Sequence, residues 1–203
     1  MRDAGRIGTI VSVNTSSNLR LRSGIAPVQD MHSSGVKFAV GMDALALDDD
    51  DDLLREVRLI RLLHAALGFE ERIPRETFLD AATRIGAAAC GCVHGGQVAE
   101  GMPADLLLLD LDREGQGTSL ATIPTVLHVR ATAACTKTLV IDGRVIFDEG
   151  KVTGIDEPAT ARELMSQLRA HEHGVARFLP LVHDYQQLVA THFKEGRHVA
   201  GAT

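Results

Sequence analysis

Apolar residues in this chain gather first in short runs and then at helical spacing, and the order of the two textures predicts its elements. Residues 7–13 are a β-branched run that ends in Asn14-Thr15-Ser16-Ser17-Asn18, the pattern of a strand opening into a polar loop. Residues 24–34 predict a helix with Pro27 in its first turn and Gly35 as its stop. Residues 36–40 predict a second strand, which closes on Gly41 and presents a single carboxylate, Asp43. Strand, helix, strand is the order expected of parallel pairing. The first strand begins so early that no upstream partner is expected for it.

Further on, Leu53, Leu54, Val57, Ile60 and Leu63 recur at helical spacing, with Arg55, Arg58 and Arg61 off the stripe. The acidic run 48–52 stands at the start of that helix, where free N–H groups and a partial positive charge favour carboxylates. Residues 74–89 predict one further helix, followed by Cys90 and Cys92. From Gly96 the texture changes. Residues 106–109 are a continuous apolar strand, and residues 136–156 read as two or three short strands with Asp142-Gly143 and Glu149-Gly150 as hairpin signals. A helix is expected at about residues 124–134, a flexible loop over 113–122, and helices over 158–200 divided by Gly174, Pro180 and Gly196. The expected organisation is an α/β segment over 1–95, β strands over 96–156 and terminal helices over 157–203.

Composition narrows this picture. The chain has 203 residues, 45% hydrophobic and 24% charged, which is the balance of a globular protein. One Tyr, no Trp and six Phe leave the core to aliphatic side chains. A net charge of -6 and the absence of a basic run interleaved with aromatics argue against nucleic acid as a partner. Three cysteines do not make a disulfide framework, and no unbroken apolar segment approaches membrane-spanning length. The expectation is a cytoplasmic protein that engages no membrane.

Several stretches together resemble one family. VSVNTSSNLRLRSGIAPVQDM, VGMDALAL, LLREVRLIRLL, GQVAEGMPADLLLLDLD and LVIDGRVIFDEGKVTGID, in that order, are similar to the C-terminal half of the metal-dependent amidohydrolases. The nearest branch is that of the cytosine, guanine and adenosine-derivative deaminases and triazine hydrolases. The resemblance implies an α/β fold: strands seven and eight of a TIM-type (β/α)8 barrel with their helices, the C-terminal share of a small β-sandwich, and terminal helices. It places Asp43 on the aspartate that ends strand eight. In that family the aspartate contacts the catalytic zinc or iron and moves the proton of the metal-bound water, and the resemblance implies the same role for Asp43. Two positions depart from the usual pattern, Val13 where the family has His and Met42 where it has Thr, and neither replaced residue is a metal ligand.

The family's His-x-His pair, its later His ligands and its catalytic Glu would all precede the region present here. A complete (β/α)8 barrel also takes about 250 residues. The expectation is therefore a C-terminal fragment, from a truncated gene, a split gene or a misplaced start codon, and inactive alone. Hydrolysis of a C–N bond in a purine, pyrimidine or triazine-like ring is the implied parent reaction, with a divalent metal that this chain does not retain by itself. Its partners would be a small heterocyclic substrate and an N-terminal half or further copies of the chain. A non-catalytic interaction module, or one half of a split enzyme, is the alternative.

Taken singly, the candidate residues are less telling. Asp43 past a strand is also what a turn or helix cap looks like. Asn14, Ser17 and Asn18 fall at the C-terminal end of the first strand, where barrel sites are built, and are expected to touch substrate or the loop after the second strand. A self-bonded Asn/Ser turn fits them as well. His171-Glu172-His173 lies at helical spacing, where side chains two apart do not share a face, and reads as an exposed helix end. Cys90-Gly-Cys92-Val-His94 lacks the second half of a metal knuckle and reads as buried, inert thiols. The aspartate run lacks the alternating ligands and glycine of an EF-hand loop.

Overall fold

Residues 7–44, 50–67, 69–92, 94–111 and 123–195 are described by the computed structural model, so the acidic run before Asp50, the expected loop at 113–122 and the stop at Gly196 lie outside the described residues. The chain forms two compact units, residues 1–153 and 154–203.

The first unit opens with β1 (Ile10–Val13), α1 (Thr15–Leu21), α2 (Val28–Ser33) and β2 (Lys37–Val40). β1 and β2 pair in parallel, with Ile10 opposite Lys37 and Val13 opposite Val40. The ladder extends one step further, since the Gly41 N–H donates to the Val13 carbonyl at 3.0 Å. Both strands therefore end together, and Asn14 and Asp43 follow those ends. Two expectations need correction here. The stretch 14–18 is not a loop beyond its first residue: it starts α1, which closes on Arg22 in the left-handed region at φ 56°. The helix expected over 24–34 is confined to Val28–Ser33, because Pro27 takes a non-helical conformation (φ -80°, ψ 62°) as its N-cap.

α3 (Leu53–His64) is the predicted amphipathic helix, but its buried face is turned from the expected stripe. Glu56, Val57, Ile60 and His64 are buried, whereas Leu63 is 37% exposed. Glu56, Ile60 and His64 share that face at i, i+4, i+8. A short hairpin, β3 (Ala66–Leu67) with β4 (Glu70–Glu71), was not visible in the pattern. The single helix expected over 74–89 breaks at Thr83 (φ -113°, ψ -92°) into α4 (Arg75–Ala82) and α5 (Arg84–Ala89). The backbone of Thr83 is crossed there by Gly96, where a Cβ would fall 2.6 Å from the Thr83 carbonyl oxygen. The core gathers Val13, Val28, Val36, Phe38, Val40, Val57, Ile60, Ile73 and Phe78 between β1–β2 and helices α2, α3 and α4. It is largely aliphatic, as composition required.

β5 (Leu106–Leu109), α6 (Ile123–Val129), a 3₁₀ turn (Ala133–Cys135), β6 (Thr136–Ile141), β7 (Arg144–Asp148) and β8 (Lys151–Val152) complete the unit. β5 to β8 form one antiparallel sheet in sequence order. Both predicted hairpin pairs have positive φ at each turn residue: Asp142 49° and Gly143 72°, Glu149 45° and Gly150 83°. That is the conformation of a two-residue type I′ connection. The helix expected at 124–134 ends at Val129.

Three contacts tie this sheet's approach to the α/β segment. Arg58 donates to the Val129 carbonyl at 3.1 Å, and the buried His128 donates through Nε2 to the Arg75 carbonyl at 2.8 Å. Asp52 is the third. One of its oxygens caps α3 by accepting from the N–H groups of Leu54 (3.0 Å) and Arg55 (3.2 Å), and the other accepts from Ala133 at 2.9 Å. Asp52→Ala removes the cap of α3 and the acceptor of the Ala133 amide, and is expected to cost about 1 kcal/mol, read as a lower urea midpoint.

His64 gives the unit a pH dependence. Burial holds its imidazole below the ordinary value of 6.5. The unfolded chain then takes up the proton more readily than the folded one. Stability is full above about pH 6.5 and declines as the pH falls through that value toward the lower folded pKa. Urea midpoints are expected to drop between about pH 7.5 and pH 5.5, and His64→Gln to remove that part of the slope.

In the second unit, α7 (Glu157–Ala176) and α8 (Leu179–Lys194) are two helices. Gly174 does not divide them as expected: it lies within α7. Pro180 sits in the first turn of α8, where its missing N–H costs nothing. No helix among the described residues is long and apolar enough to cross a membrane.

Candidate functional site

The parallel pairing of β1 with β2 brings the first two loops of the chain to one end of the sheet. Gly41 makes the approach close: a Cβ there would fall 2.7 Å from Ser12 Oγ and would also meet the side-chain oxygen of Asn14. Ser12 Oγ donates to that same Asn14 oxygen at 3.1 Å, so Asn14 faces β2 rather than capping α1.

Asp43 is exposed and has φ 73°, a left-handed conformation that a non-glycine residue adopts at some cost. Ser17, 1% exposed, donates its hydroxyl to Asp43 Oδ2 at 2.7 Å. The expected contact with the loop after the second strand is thus made by Ser17. Asn18 lies one residue further along α1 and is half-buried.

Beneath them is a buried carboxylate that the sequence pattern did not single out. Glu56 has no exposed surface, and its Oε2 accepts from the Ser16 N–H at 3.1 Å. Its Oε1 accepts from Arg55 at 3.1 Å, and Arg55 in turn pairs with Asp50 at 2.8 Å. The signal was present in the spacing Glu56, Ile60, His64, although nothing in it distinguished an inward Glu from a solvated one. Beside Glu56, Thr15 Oγ1 and Ser16 Oγ are buried without a hydrogen-bond partner among the described residues.

Other candidates stand apart from this end. Cys90 and Cys92 are exposed free thiols, not buried ones, because α5 presents no buried face and the chain leaves it through Gly91 at φ 85°. His171 is exposed within α7 and contacts the Gln167 carbonyl one turn back, at 2.8 Å. It stands before the helix end, since α7 continues through Gly174. Among the described residues no group of three His, Cys, Asp or Glu side chains could hold a metal ion. Asp43 by itself falls short of the roughly three protein ligands of a catalytic zinc site.

Parallel strands that end together beside an exposed acid define an α/β protein of the kind that builds its site at strand C-termini. The chain belongs to the amidohydrolase family, whose model matches residues 4–146. It is 33% identical over 174 residues to the 5'-deoxyadenosine deaminase of Methanosarcina barkeri, covering 82% of this chain and 40% of that protein. Among solved structures it is similar to an adenosine deaminase from Xanthomonas campestris with bound zinc, at 26% identity and TM-score 0.70, over 82% of this chain and 39% of that one. It is also similar to the atrazine chlorohydrolase of Arthrobacter aurescens complexed with zinc, at 22% identity and TM-score 0.67, over 82% of this chain and 38% of that one. The last likeness shows the fold alone. The chain spans between 33% and 40% of the length of curated relatives that it matches.

Proposed function

We propose that this chain is the C-terminal portion of a deaminase and supplies Asp43 to a site that hydrolyses the C–N bond of an amino group on a purine, pyrimidine or triazine-like ring. One observation carries the reading: Asp43 stands past the joint C-terminal end of two parallel strands, held by Ser17, in a chain related to adenosine-type deaminases. A divalent metal, zinc or iron, would supply an acidified water when bound. The side chains described here do not complete a site for it, so the remaining ligands come from a further segment.

Asp43 acts on protons. Its carboxylate accepts one from the attacking water and returns it to the departing amino group, as base and then acid. Ser17 fixes Oδ2, which leaves the carboxylate one defined orientation. Asn14 and Asn18, on the same end, offer amide groups to ring nitrogens and substituents of the substrate.

Apolar exposure favours the companion reading, one half of a split enzyme or an interaction module. Leu107, Leu108, Ile141, Val145, Ile146 and Val152 are all exposed on the antiparallel sheet. Bare sheet faces of this kind are covered by another segment or another chain.

Co-expression with the segment encoded immediately upstream tests both. The expected result is a complex with stoichiometric metal that releases ammonia from an aminopurine, aminopyrimidine or aminotriazine, while the chain alone does neither. Turnover by the chain alone with stoichiometric metal overturns the shared site. A stable, metal-free and inactive complex leaves the interaction module.

A further inference from the structure

The first turn of α1 has lost its own cap. Asn14 stands at the N-cap position, but its side-chain oxygen is taken by Ser12, two residues back on β1, and no side chain within α1 accepts the free N–H groups. Glu56 does so from a different helix, forty residues on, through the 3.1 Å bond from the Ser16 N–H. The next residue is Ser17, whose hydroxyl meets Asp43 at 2.7 Å. A carboxylate with no exposed surface is costly to bury, and it persists only where its partners repay desolvation. Here they are the Ser16 amide and the Arg55 guanidinium.

We propose that Glu56 is a positioning residue for Asp43: by clamping the Ser16 amide it sets the rotation of the first turn of α1, and that rotation places Ser17 Oγ on Asp43 Oδ2. Asp43 needs such a restraint. At φ 73° its backbone sits where an L-residue is disfavoured, and it is exposed, so packing contributes little to holding it. The Ser17 bond is the interaction that selects this conformer. Glu56 bonds to the Ser16 amide and to Arg55, and it acts on Asp43 through two neighbouring residues of one turn. Its consequence for catalysis rests on the proposed deaminase reading, whereas its hold on the Asp43 conformation does not.

The test is solution NMR on the full chain. Two readouts serve: protection of the Ser16 amide against hydrogen exchange, and the strong amide–Hα contact within Asp43 that marks positive φ. In the wild type both are expected. Glu56→Ala and Ser17→Ala are expected to lose the Asp43 signature, and Glu56→Ala the Ser16 protection as well. Glu56→Gln, whose amide oxygen still accepts the Ser16 N–H, restores both. Glu56→Asp, one methylene short, does not, and it decides the matter should Glu56→Ala fail to fold. Val57→Ala, a core substitution on the same helix turn, is expected to lower stability and leave both signals in place. Retention of the Asp43 signature in Glu56→Ala or Glu56→Asp overturns the proposal, as does its loss in Val57→Ala. In the assembled enzyme, Glu56→Asp is expected to lower kcat about 10- to 100-fold with KM within about twofold, as for partners that orient a reacting group. Intact NMR behaviour in an assembly that never deaminates counts against the deaminase reading and not against the clamp.

Discussion

Asp43→Asn is expected to lower kcat by about 10²- to 10⁴-fold in the deaminase assembly proposed above, the usual worth of a positioned proton carrier. Ground-state structure should survive the change. The side chain is exposed, so no core contact is lost, and Asn tolerates a left-handed backbone such as φ 73° better than most residues. Its amide oxygen can still accept from Ser17 in place of Oδ2. What disappears is the carboxylate that would take and return the proton. Ammonia release under saturating substrate, beside a thermal melt of each protein, separates the two effects. Activity within tenfold of wild type at an unchanged melting temperature would mean that Asp43 does not carry the proton.

The second large effect concerns stability. Phe78→Ala is expected to cost about 3–5 kcal/mol, a large part of the total stability of a typical domain. Phe78 has no exposed surface and packs on Phe38 with ring centroids 6.1 Å apart at 57°. The pair joins α4 to β2, the strand that leads to Asp43. With only six Phe and no Trp in the chain, few side chains could expand into the space left behind. Phe69, fully exposed, is the matched control, and Phe69→Ala should stay within about 0.5 kcal/mol of wild type in urea unfolding. Equal losses at the two positions would be incompatible with the packing described here.

The two predictions touch one chain of dependence. Core packing fixes β2, β2 delivers Asp43, and α1 orients it through Ser17. The buried base of that arrangement, Glu56 and Asp52, comes from one end of α3, and Asp52 also holds the turn that enters the antiparallel sheet. Disturbing α3 therefore reaches both the candidate site and the sheet.

Most of the strands and longer helices, the parallel strand pair, the two hairpin turns and Asp43 as the acid after the second strand were legible in the residues alone. These rest on local signals: β-branched runs, helical periodicity, and Asp-Gly and Glu-Gly at turns whose backbone conformation favours them. The sequence misjudged what local signals do not fix. Residues 15–18 form a helix whose first turn finds an amide acceptor forty positions away, and the break at Thr83 coincides with the crossing of Gly96. Burial of Cys90 and Cys92 was expected from the family resemblance, which puts them at the end of a small-residue helix, and only the packing of α5 could show them exposed. The inward turn of Glu56 was decided last of all. A carboxylate enters a core only when tertiary neighbours satisfy both its oxygens, and no periodicity records that Ser16 and Arg55 would meet there.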